Sequence, residues 1–154
     1  MDDVDAVQAQ IARTMLESGD WVTARLDGVP YLEKAPLKYW LIAASFAIFG
    51  VHDWAARIPV ALGAILLCWV TARFGAWAFP ARAGFYAGLV LATCAGLFLF
   101  TRILIPDVLV TLTVTVALWA FLRALDEDEP RPRLWAAVLA ASLLGAARLR
   151  RRRK

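Results

Sequence analysis

Three groups of side chains in this sequence are suited to chemistry. Asp2, Asp3 and Asp5 crowd its start, Glu33 and Lys34 stand just ahead of Pro36 and an apolar run, and Asp107 follows Pro106 at the head of another apolar run. Carboxylate oxygens are hard ligands for a divalent metal ion, and a single carboxylate can take the proton of an attacking hydroxyl. An ammonium at a membrane interface can hold the phosphate of an anionic lipid, while Tyr31, Tyr39 and Trp40 anchor the surrounding backbone at headgroup depth. Each group also has a plainer reading. The acidic start is solvated, Lys34 and Lys38 only anchor the chain, and Asp107 only complements a helix dipole, worth about 0.3–1 kcal/mol. His52 is the single histidine, which excludes a three-histidine metal site. Cys68 and Cys94 lie in apolar stretches with no CxxC spacing and read as small core residues.

The elements that must position these groups follow from apolar periodicity. Over residues 6–18, Val7, Ile11, Met15 and Leu16 share one helical face and polar residues fill the others, so an amphipathic helix lying along the interface is expected. Gly19-Asp20 ends it, and residues 21–30 are turn-rich around Asp27-Gly28. Residues 37–49 are apolar but too few for a bilayer core about 30 Å thick, which needs roughly 20 helical residues. They read as an interfacial or re-entrant helix. Membrane helices are expected over 54–77, 84–101, 108–125 and, less fully, 134–147, each apolar all round.

With 61% hydrophobic residues and 19% charged ones, the chain is an integral membrane protein and not an ordinary soluble domain. The fold class is therefore all-α, a polytopic membrane helical bundle, in three parts: an external loop with interfacial helices over 1–53, membrane helices over 54–147 and a basic tail over 148–154. The net charge of +4 comes from that terminal run of arginines, so it does not argue for a nucleic-acid partner. Arg73 and Arg82 flank one connection and Arg123, Arg131 and Arg133 another, which places both in the cytoplasm and sends residues 1–53 and the link before Asp107 to the outer side. This topology calls for a span ahead of Asp2 and sits poorly with an arginine tail delivered outside, so the chain is expected to be a piece of a larger protein.

The stretches "ARTMLESGDWVTARLDGVPYLEKAPLKYWL", "GVHDWAARIP", "RAGFYAGLVLAT" and "FTRILIPDVLVTL", in that order after an Asp-rich start, resemble the amino-terminal part of membrane glycosyltransferases of family 39. That family includes the protein O-mannosyltransferases and the bacterial lipid A aminoarabinose transferases. The resemblance covers residues 2–125 and implies a partial C-type glycosyltransferase fold. It implies transfer of a sugar from a polyprenyl-phosphate donor to a lipid or protein hydroxyl, in the bacterial inner membrane, with the active loop on the periplasmic side. It also implies site roles: Asp3 or Asp5 as the first-loop base, Asp107 as the second acid, Glu33 at a divalent metal ion, Lys34 on the donor phosphate and Tyr31 lining the same cavity. Where relatives carry Asp-Glu this chain reads Asp-Asp-Val-Asp, which leaves the base at either aspartate, and Glu-Lys-Pro-Pro reads Glu-Lys-Ala-Pro. The competing expectation is an inactive fragment or a lipid-binding membrane module without catalysis.

Overall fold

The computed structural model describes residues 3–21, 23, 25–26, 29–30, 36–102 and 107–147. Seven helices account for most of them: α1 (Asp3–Ser18), α2 (Pro36–Phe49), α3 (Asp53–Ala78), α4 (Ala81–Ala92), α5 (Ala95–Arg102), α6 (Asp107–Leu125) and α7 (Pro132–Ala147). Between α1 and α2, the two-residue strands β1 (Arg25–Leu26) and β2 (Val29–Pro30) pair antiparallel. The fold is an all-α membrane helical bundle. Among the described residues two helices, α3 and α6, are long and apolar enough to cross a membrane. At 1.5 Å per residue they run to about 39 Å and about 28 Å.

Glycines in the left-handed region stop the first two helices. Gly19 (φ 69) and Gly50 (φ 82) adopt a backbone conformation that residues with a Cβ avoid, and their N–H groups donate to the carbonyls of Met15 and Phe46. The amphipathic face of α1 is buried as its spacing requires: Ile11 and Met15 pack on Tyr39 of α2, with Val7 and Trp40 against them. The stretch over 84–101 is not one continuous helix. It divides into α4 and α5 at Thr93 and Cys94, where the Thr93 hydroxyl donates to the carbonyls of Leu89 and Val90.

Pro59 lies inside α3 and has no N–H, so the carbonyl four residues back, that of Ala55, lacks its usual helical donor. The buried hydroxyl of Ser45 on α2 supplies one, at 2.6 Å. A defect in one helix thereby becomes a cross-link to another.

Two contacts set the relation of α3 to α6. Gly63 lies against Val108 and Leu109, and Phe74 stacks near Trp119. The step from 63 to 74 matches that from 108 to 119, so the helices run parallel. In that register Asp107 lies level with Leu62, five residues along α3 from Arg57, an axial offset of about 7–8 Å.

At the opposite end α4 returns against α3 through glycines. A Cβ added to Gly84 would meet Ala76 N at 2.3 Å and Ala72 O at 2.5 Å, so only glycine allows this approach. There α6 turns through residues 126–131 into α7. Arg123 pairs with Glu129, and Trp77, Trp119 and Trp135 from three different helices surround its guanidinium at 5.1–5.9 Å.

Candidate functional site

Asp5 and Asp107, the two expected site residues whose side chains the structure describes, fall at one end of the bundle, and the packing beneath explains why. A buried cluster joins Ala12 of α1, Ile42, Ala43 and Phe46 of α2, Ala55, Ala56 and Val60 of α3 and Val108 of α6. Asp107 immediately precedes Val108, so the head of α6 is fixed where α1 and α2 lie on the first turns of α3. The Asp107 carboxylate is exposed, at a helix start where the dipole favours negative charge.

Asp5 has a different environment. Its side chain is 3% exposed, and Nη2 of Arg57 donates to its Oδ2 at 2.9 Å, joining α1 to α3 across 52 residues of sequence. Arg57 itself is 39% exposed, so the pair sits at the edge of the packed region with its acid inside and its base at the rim. An acceptor hydroxyl using Asp5 as a base would have to compete with that guanidinium.

One helical turn along α1, Gln8 occupies the same face as Asp5. Its side-chain oxygen accepts a hydrogen bond from Nζ of Lys38 on α2, and both residues are almost wholly buried. The ammonium also lies 4.9 Å from the Tyr39 ring centroid. On α2 the Trp40 indole N–H donates to the Trp21 carbonyl at 2.6 Å, joining α2 to the residues just past the end of α1.

Among the expected site residues, Asp5 and Asp107 are thus held at the same end. Asp3 opens α1, but its side chain, together with Tyr31, Glu33 and Lys34, lies outside the described residues. Arg57 was not singled out from the sequence, although an arginine in the second turn of a membrane helix is a signal in itself, since a charge there is costly without a partner. Lys38 stood only as an anchor, and its bond to Gln8 makes it an interior cross-link.

Among the described residues no three His, Cys, Asp or Glu side chains group as a metal site would need, and Asp5 faces a guanidinium. Glu33, the expected metal ligand, lies outside the described residues.

The dolichyl-phosphate-mannose-protein mannosyltransferase family model matches residues 33–151. An undecaprenyl phosphate-α-4-amino-4-deoxy-L-arabinose arabinosyl transferase from Pseudomonas fluorescens is 37% identical over 145 residues, 89% of this chain and 24% of that protein. One from Proteus mirabilis is 34% identical over 82% of this chain and 23% of its own length. Among solved structures, ArnT from Cupriavidus metallidurans in the apo state superposes with a TM-score of 0.87 at 29% identity, over 96% of this chain and 28% of that one. The same protein bound to undecaprenyl phosphate gives 0.86 at 27% identity, over 95% and 29%. The chain spans about a quarter of the length of the curated relatives it matches.

Proposed function

The chain belongs to the dolichyl-phosphate-mannose-protein mannosyltransferase family, and from that membership we propose that it forms part of a glycosyltransferase moving a sugar from a polyprenyl phosphate to a lipid or protein hydroxyl. The reaction takes place at the periplasmic face of a bacterial inner membrane, on the side where α1, α2 and the heads of α3 and α6 meet. The relatives' names make a 4-amino-4-deoxy-L-arabinose carried on undecaprenyl phosphate the first donor to assay.

In the proposed chemistry the acceptor oxygen bonds to the anomeric carbon as the bond from that carbon to the phosphate oxygen breaks. The acceptor proton passes to a carboxylate, and the polyprenyl phosphate leaves with the bonding electrons. Lys34 holds the leaving phosphate, and Tyr31 lines the pocket. Positioned charge at a leaving anion in a site shielded from water is a large catalytic contribution. Asp107 is the carboxylate that takes the proton, because it is exposed at the bundle end while Asp5 is engaged by Arg57. Asp3 is the alternative base on the first loop. A divalent ion at Glu33 is a separate proposal, read by whether chelation and metal add-back change turnover.

The observation that supports this reading best is the shared buried cluster, which ties the residue after Asp107 to the two helices flanking the Lys34 loop. The test uses the full-length protein carrying this segment. Asp107→Asn and Lys34→Ala are expected to abolish sugar transfer while leaving membrane expression intact. Unchanged turnover in both variants would remove the catalytic reading and favour a lipid-binding module.

A further inference from the structure

We propose that Arg57 is a positioning residue for the donor: through Asp5 it pins the interfacial layer to the membrane bundle, and so sets the affinity for the polyprenyl-phosphate sugar. The inference rests on the transfer reading above and adds a residue to it.

A continuous path of contacts runs from Arg57 through α1 to α2 and back to α3. Arg57 on α3 bonds Asp5 on α1. Gln8, one turn away on the same face of α1, bonds Lys38 on α2. Lys38 lies four residues after Lys34 in the chain. The α2 helix is bonded back to α3 by Ser45, whose acceptor Ala55 is two residues from Arg57. Three polar links thus close a ring through α1, α2 and α3. Directional bonds of this kind define a register that apolar contact alone, which tolerates sliding, does not.

The exposures decide which partner depends on the other. Asp5 is buried and Arg57 is at the rim, so removing the guanidinium takes its ion pair from a carboxylate inside the packed layer and, with it, the bond that joins α1 to α3. Asp107 heads α6, which none of these three polar links joins, so the loss falls mainly on donor affinity rather than on turnover at saturation.

The experiment measures steady-state transfer by the full-length protein in lipid nanodiscs, with undecaprenyl-phosphate-linked aminoarabinose as the varied donor. Arg57→Gln is expected to raise the donor KM about 10-fold or more with kcat within about threefold, the pattern of lost ground-state positioning. Arg57→Lys should recover most of that loss. Asp5→Asn should resemble Arg57→Gln, and the double variant should be no worse than either single one, because both remove one interaction. A donor KM within about threefold of wild type in Arg57→Gln would overturn the proposal, as would losses that multiply in the double variant. A wild-type protein without transfer activity defeats the functional reading instead. Tryptic cleavage at the exposed Arg13 of α1 then tests the tether alone. Faster cleavage in Arg57→Gln but not in Arg57→Lys upholds it, and equal rates overturn it.

Discussion

The hydroxyl of Ser45 donates a 2.6 Å hydrogen bond to the carbonyl of Ala55, the acceptor that Pro59 leaves without a helical donor. Ser45 is thus the replacement for an N–H that proline cannot provide. Truncating it leaves a buried carbonyl unsatisfied, at a cost of about 1–3 kcal/mol. Ser45→Ala should lower the thermal midpoint of the detergent-solubilised protein, and Ser45→Ala combined with Pro59→Ala, which restores the helical N–H, should recover it. A double variant as unstable as Ser45→Ala alone would show that the bond does not compensate for the proline.

Gly84 and Gly96 both lie in helices, and the structure expects opposite results from the same substitution. A Cβ at Gly84 collides with the backbone of α3, which cannot yield as a flexible side chain would, whereas the nearest atom to a Cβ at Gly96 is Cys94 Sγ at 3.6 Å. Gly84→Ala must push α4 away from α3 and should cost about 1–3 kcal/mol or more. Gly96→Ala only gains helix propensity and should be neutral or stabilising by up to about 1 kcal/mol. Thermal unfolding of the two variants side by side distinguishes these outcomes.

Gln8 and Lys38 give a third test, in which the two partners are unequal. Gln8→Ala removes an acceptor from a buried ammonium, while Lys38→Met replaces the ammonium with an apolar chain and leaves a neutral amide. A buried charge loses more than a buried amide when a partner goes, so Gln8→Ala is expected to be the more destabilising, by about 1–3 kcal/mol or somewhat above. Chemical unfolding in mild detergent would show the order, and a reversed order would mean that partners other than Gln8 satisfy the ammonium.

What the sequence made legible was whatever periodicity or local chemistry encodes. The buried stripe of α1 follows from the spacing of Val7, Ile11 and Met15, the helix stops follow from Gly19 and Gly50, and the start of α6 follows from Pro106-Asp107. Helices apolar all round carry no such stripe, so the faces of α3 and α6 that meet at Gly63 and Leu109 could not be chosen in advance. The break at Thr93 was hidden for a related reason: its polar side chain bonds its own helix, and the surrounding composition does not change. Arg57 and Asp5 find each other only after α1, α2 and α3 have packed. The site is accordingly readable as residue types, while the pairing that separates a committed aspartate from an exposed one is tertiary information.

The pairing at the far end of the bundle is sensitive to acid. The side-chain bond from Arg123 holds the Glu129 carboxyl below its ordinary value of 4.5, against the opposing effect of burial and with smaller help from Trp135. Because the folded value is depressed, the stabilisation is fully present above about pH 4.5, the ordinary range for an unfolded glutamate, and is lost as pH falls through the lower folded value. Protonation frees the guanidinium held among Trp77, Trp119 and Trp135, so the indoles report the event directly. Tryptophan emission should be flat from neutral pH to about 5 and change below about 4.5. Glu129→Gln should flatten that acid limb, since a glutamine has no proton to gain. An acid limb that persists in Glu129→Gln would assign it to another carboxylate and leave the aromatic enclosure as packing alone.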